Sequence, residues 1–144
     1  MTKTSHATLI TTSFELAAER CDDLTPFVYE RLFAGYPELR AEFRQDPGNL
    51  VKGEMLAQAV NVILDFVGAR TYSARMIQCE VVSHAAFGVR PEVFGIFFGV
   101  IAATLQNILG ADWSAEMDDA WSELLGELDY FVTHPDQRLD AASA

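Results

Sequence analysis

Positive charge is scarce in this chain. Ten Lys and Arg stand against 21 Asp and Glu among 144 residues, a formal net charge of −11, and the ten are scattered without forming a stripe. Nucleic acid and anionic lipid are therefore excluded as partners, because both demand concentrated basic side chains. Cysteine is nearly absent as well. Cys21 and Cys79 lie far apart with no Cys-x-x-Cys, which excludes a local zinc or dithiol site and predicts two reduced, unpaired thiols. The first residues carry no continuous apolar stretch, so no secretory signal is visible and a cytoplasmic protein is expected. The longest apolar run, Val93 to Leu105, is interrupted by Gln106 and Asn107, short of the ~20 residues that cross a bilayer. It predicts a buried helix and no membrane partner. A nucleophile elbow, a phosphate-binding glycine loop and a His-Glu-x-x-His are all missing, and adjacent acidic pairs such as Asp22-Asp23 and Asp118-Asp119 read as solvated helix ends.

Half of the residues are hydrophobic, enough to build one contiguous core. With the five prolines and nine glycines scattered, no repeat and no linker divides the chain. One domain over 1–144 is expected, with loose polar termini at about 1–7 and 138–144.

Apolar positions recur at helical rather than alternating spacing, and hairpin signals are missing, which predicts an all-α protein. A first helix is expected over Leu9–Arg20. Thr25 followed by Pro26 reads as an N-cap and first helical position of a second, which sets Tyr29, Leu32 and Phe33 on one face. A short segment from Pro37 to Phe43 and a loop over Arg44–Gly48 precede a helix from about Asn49 to Val67, on which Lys52, Leu56, Val60 and Ile63 share one side. Tyr72 to about Phe87 is the next helix, with Ile77, Val81 and His84 in one stripe and Gly88 as its stop. Arg90-Pro91 restarts the chain, and Ser114 reads as the N-cap of a last helix that ends before Pro135, with Glu116 and Asp118 complementing its dipole.

Of three histidines, His6 and His134 lie near the ends, and only His84 is placed for chemistry, on an apolar helical face ahead of a glycine. A neutral imidazole there is either a core residue satisfied by hydrogen bonds or an axial metal ligand whose other nitrogen donates to the carbonyl of Glu80, one turn back. A tyrosine at position 29 leaves a similar choice: its hydroxyl reaches a backbone carbonyl, or it donates to a ligand.

The run His84-Ala-Ala-Phe-Gly-Val-Arg-Pro-Glu-Val-Phe94 resembles the proximal segment of globins, particularly single-domain bacterial haemoglobins and flavohaemoglobin haem domains. Phe27-Val-Tyr-Glu-Arg-Leu-Phe33 is similar to the family's second helix, with Tyr29 at the distal tyrosine. Tyr36-Pro-Glu-Leu-Arg-Ala-Glu-Phe43 resembles the segment ending in the haem-stacking phenylalanine, and Lys52-Gly-Glu-Met-Leu56 the distal helix. Leu109-Gly110, Asp112-Trp113 and Ala120-Trp121 resemble the closing helix pair. The likeness spans roughly Ser13 to Val132 in the family's order.

This resemblance implies a globin fold, a three-over-three helical sandwich around a pocket for haem b (iron protoporphyrin IX). His84 would ligate the iron, Tyr29 would stabilise a diatomic gas (O2, NO or CO), and Phe43, Leu56, Phe94, Phe97 and Ile101 would form the slot; for each of these five, plain core packing is the other reading. Lys52 departs from the His or Gln of many globins. A register shifted by one would bury Asn61 in place of Val60, so the unshifted one is preferred. The Lys52 ammonium is expected at solvent or a haem propionate, with electrostatic help to a bound ligand or direct ligation as alternatives. Arg90 is a second propionate candidate, or an exposed arginine.

Reversible gas binding is the leading expectation. Nitric oxide dioxygenase activity is the alternative. It would require a separate reductase, since 144 residues leave no room for a flavin domain. The family's proximal tyrosine corresponds to Phe94 and its glutamate only to Asp136, which predicts a proximal network without them and weaker peroxidase-like chemistry. A sensor or haem-free interaction module is a third reading, and association as a homodimer is left open.

Overall fold

The computed structural model describes residues 3–43, 50–85 and 90–133. Among them, six α-helices follow one another: α1 (Lys3–Arg20), α2 (Thr25–Gly35), α3 (Leu50–Val67), α4 (Ser73–Ala85), α5 (Glu92–Leu109) and α6 (Ala115–Thr133). Short 3₁₀ segments occupy Pro37–Phe43 and Gly110–Asp112. The described residues contain no strand. Neighbours pair α1 with α3 and α3 with α4 on one side, and α2 with α5 and α5 with α6 on the other, while α1 against α5 and α6, α2 against α3 and α4 against α6 join the two layers.

Three helix starts differ from expectation. α1 opens at Lys3 rather than Leu9, so residues 3–7, expected to be loose, are helical. No proline or glycine stands before Leu9 to stop the helix, and His6 Nδ1 meets Glu123 Oε2 of α6 at 3.1 Å. For α2 the cap is Leu24 and Thr25 is already helical, buried at its first turn. The side chain serving that turn is Asp23, whose Oδ1 accepts the Thr25 N–H at 3.0 Å. Helix α4 starts at Ser73, because Asp65 at the end of α3 accepts the N–H groups of Thr71, Tyr72 and Ser73 at 3.0, 3.0 and 2.8 Å. One carboxylate thus serves donors that a helix start leaves without intrahelical partners. The cap of α6 is as expected, Met117 N–H donating to Ser114 Oγ at 3.1 Å. The loop expected over 44–48, the Gly88 stop and the 138–144 tail lie outside the described residues.

The core closes around Trp121, 1% exposed. Its indole N–H donates to Ser13 Oγ at 3.0 Å, and that hydroxyl donates to the Ile10 carbonyl at 2.6 Å, so a polar pair sealed between α1 and α6 is fully satisfied. Phe14 meets the Trp121 ring edge-on at 5.7 Å, and Phe66 of α3 meets Phe131 of α6 at 5.1 Å. Such buried side chains contribute roughly 1.5–3 kcal/mol each. Helix α5 with its flank, Glu92–Asp112, is 21 residues, long and apolar enough by length and composition to span a bilayer, beyond the sequence-based limit at Gln106. In the fold Phe98, Ile101, Ala102, Thr104, Leu105 and Leu109 of this helix are buried, and about 39% of its apolar stretch lies inside the protein. Arg20 of α1 caps its end, donating to the carbonyls of Ile108 and Leu109 at 3.1 and 2.9 Å and pairing with Asp112.

The corner between α3 and α4 matters most for the site, because these two helices form facing walls. Arg70 takes a left-handed φ of 54°, a conformation that costs a side-chain-bearing residue about 1–2 kcal/mol. Its side chain offsets that cost. Arg70 Nε donates to the Phe66 carbonyl at 3.0 Å, the guanidinium lies 3.8 Å from the Phe66 ring centroid, and Nη2 meets Glu127 Oε2 at 3.1 Å. Both cysteines are free thiols.

Candidate functional site

Between α3, α4 and the start of α5 the chain leaves a crevice. Met55, Gln58, Ala59 and Val62 line it from α3; Met76, Ile77, Glu80 and His84 from α4; and Phe94, Phe97 and Phe98 from α5. Its cavity volume is about 90 Å³, below the roughly 300–1,000 Å³ of small-molecule pockets, so a larger group would have to part its walls. The lining follows from helical spacing. Met55, Ala59 and Val62 recur at steps of four and three, as do Ile77, Glu80 and His84 at three and four, so each set forms one row on its helix.

His84 is half-buried, and its Nδ1 donates to the Glu80 carbonyl at 2.8 Å, the hydrogen bond its position on the helix predicted. The same nitrogen lies 3.4 Å from Glu80 Oε2. With the proton on Nδ1, the lone pair belongs to Nε2. The Phe94 ring stands edge-on to the imidazole, 5.1 Å between centroids at 82°. It therefore occupies the place beside the histidine and brings no hydroxyl to it.

Tyr29 is 3% exposed. Its ring packs against Phe33 at 5.9 Å and against Phe97 of the crevice wall at 5.7 Å. The hydroxyl donates to the Lys52 carbonyl at 3.1 Å, the backbone alternative of the two foreseen. The remaining candidates separate clearly. Phe94 and Phe97 line the crevice. Leu56 and Ile101 are buried, at 4% and 0% exposure, in the core rather than in the lining. Lys52 is half-buried and Arg90 exposed, and neither lines it. Phe43 ends the first 3₁₀ segment, and its side chain lies outside the described residues, as does Asp136. Val60 packs on the core and Asn61 is exposed, and neither lines the crevice.

Sequence reasoning missed Met55, Gln58, Ala59, Val62, Met76, Phe98 and the carboxylate of Glu80. The i, i+4 spacing of Glu80 and His84 was the available signal for the last of these.

No group of three or more His, Cys, Asp or Glu comes together among the described residues in a form that could hold a metal ion. The donor set at the crevice is one imidazole, with the Glu80 carboxylate behind its Nδ1, on a mostly apolar wall. It fits a flat apolar group whose metal brings its own equatorial donors, and does not fit a bare ion.

An all-helical sandwich with one histidine set on an apolar crevice between two facing helices defines a class of protein. The family model for Globin matches residues 26–130, and the chain belongs to the globin family. It is 27% identical over 139 residues to the flavohemoprotein of Bordetella pertussis, covering 94% of this chain and 34% of that protein. To the flavohemoprotein of Rhizobium meliloti it is 28% identical over 103 residues, 69% of this chain and 25% of the other. To that of Rhodopirellula baltica it is 28% identical over 120 residues, 81% and 29%. The chain thus spans about a third of the length of the first of these relatives. No solved structure matches it.

Proposed function

We propose that this globin holds haem b in the crevice between α3 and α4, where His84 Nε2 would hold the iron, and reversibly binds a diatomic gas. The observation that carries the reading is the fixed tautomer of His84: the 2.8 Å bond from Nδ1 to the Glu80 carbonyl leaves Nε2 as the nitrogen free for a metal, on a residue that lines a crevice apolar but for Gln58 and Glu80. When bound, the haem would supply a ferrous centre for oxygen, nitric oxide or carbon monoxide. Phe94 and Phe97 would flank it and exclude water, and Phe43 is the stacking phenylalanine that the family resemblance implies. Leu56 and Ile101, buried in the core, would back that wall.

Tyr29 would orient and stabilise the gas by turning its hydroxyl from the Lys52 carbonyl toward the ligand. Lys52 and Arg90, outside the crevice lining, would serve the haem carboxylates at its edge. A second reading, nitric oxide dioxygenase activity with a separate reductase, is favoured by the likeness to flavohemoproteins, whose name couples a flavin to a haem. The presence of Phe94 in place of a hydroxyl-bearing residue beside His84 weakens it.

The test is a haem titration of the purified chain and of His84→Ala, followed by absorption spectra of the ferric, ferrous and carbon-monoxide forms. Saturation at one haem per chain, with a carbon-monoxide spectrum that needs His84, is expected. Absence of specific uptake would refute the reading.

A further inference from the structure

Glu80 stands out among the crevice residues because it is the one carboxylate in an otherwise neutral lining. Its backbone and its side chain converge on the same atom: the carbonyl accepts from His84 Nδ1 at 2.8 Å, and Oε2 lies 3.4 Å from that nitrogen. The far oxygen, Oε1, is 3.5 Å from Gln58 Nε2 on the facing helix, so the carboxylate is approached from both walls. Phe94 fills the other side of the imidazole with a ring edge, which leaves Glu80 as the anionic partner of the ring among the described residues.

We propose that Glu80 is a positioning residue that polarises His84, its carboxylate lying 3.4 Å from the Nδ1 that donates to the Glu80 carbonyl and by its negative charge making Nε2 a stronger electron donor toward a metal. The inference rests on the haem reading above. A carboxylate behind a metal-bound histidine fixes the ring and raises its basicity, and removing such a partner typically costs about 10–100-fold in affinity or activity. Here the carboxylate comes from one turn earlier on the same helix, at i, i+4, so its placement depends on α4 alone and not on a distant element. A more basic imidazole favours the ferric over the ferrous state.

The experiment uses the full chain loaded with haem, as native, Glu80→Gln and Glu80→Asp. Glutamine keeps the shape and removes the charge; aspartate keeps the charge and shortens the reach. Two quantities are read: the iron–histidine stretching frequency of the ferrous form by resonance Raman, and the midpoint potential by redox titration. Glu80→Gln should lower the stretching frequency and shift the equilibrium about tenfold toward ferrous, equivalent to about 59 mV upward for one electron. Glu80→Asp should fall between. If the native chain and His84→Ala both fail to take up haem specifically, the underlying reading falls and this assignment with it. Should haem bind through His84 while Glu80→Gln leaves frequency and potential unchanged, only the assignment is overturned.

Discussion

The Tyr29 hydroxyl can be pressed quantitatively. In the structure it donates to the Lys52 carbonyl at 3.1 Å, a neutral bond whose net worth is about 1 kcal/mol, whereas a bond to a ligand carrying negative charge is worth about 2 kcal/mol. Turning from one to the other gains the difference, about 1 kcal/mol, or about fivefold in a dissociation rate. Tyr29→Phe removes the hydroxyl and keeps the ring packed on Phe33 and Phe97. Oxygen should therefore leave the ferrous variant about fivefold faster, measured by stopped-flow displacement with carbon monoxide. Carbon monoxide itself, with little charge on its outer atom, should show a smaller change. Equal oxygen dissociation rates would refute the reasoning and leave the hydroxyl as a tie between α2 and α3, in which case the variant would lose only stability, by about 1 kcal/mol in urea unfolding.

Ser13→Ala strands the Trp121 indole N–H in a region with no access to solvent and should cost about 1–3 kcal/mol, read as a lower urea midpoint at unchanged slope. Burial pushes the Asp65 carboxyl up, but the N–H groups of Tyr72, Thr71 and Ser73 outweigh that and hold it below its ordinary value. Its contribution is therefore present above about pH 4 and lost as pH falls through the lower folded value. Asp65→Asn should lower stability at neutral pH and flatten the acid limb of a stability-against-pH curve; an unchanged acid limb would contradict the capping role.

Much of the architecture was legible because it is written in local chemistry. Ser114 caps α6 through an oxygen at the right offset, and His84 finds the Glu80 carbonyl simply by being helical. The starts of α1, α2 and α4 were misjudged where a partner distant in space or a neighbouring acid decides: Glu123 beside His6, Asp23 ahead of Thr25, and Asp65 across the α3–α4 corner. The crevice shows the same limit. Periodicity marked the row Lys52, Leu56, Val60 and Ile63 as one side of α3, but the adjacent row of Met55, Ala59 and Val62 faces the opening. Both rows are largely apolar, and the rotation of α3 about its axis is set by packing against α1 and α4. Glu80 was seen for its carbonyl and not its carboxylate, because an exposed-looking acid in a helix gives no sign of what it faces.

The central claim is that His84 is the iron ligand, and its sharpest test is His84→Gly loaded with haem, with ferrous and carbon-monoxide spectra recorded before and after free imidazole is added. Loss of the native ferrous spectrum in the variant, and its return when imidazole fills the vacated space, is the predicted result. A variant whose spectra match those of the native protein without imidazole would contradict it.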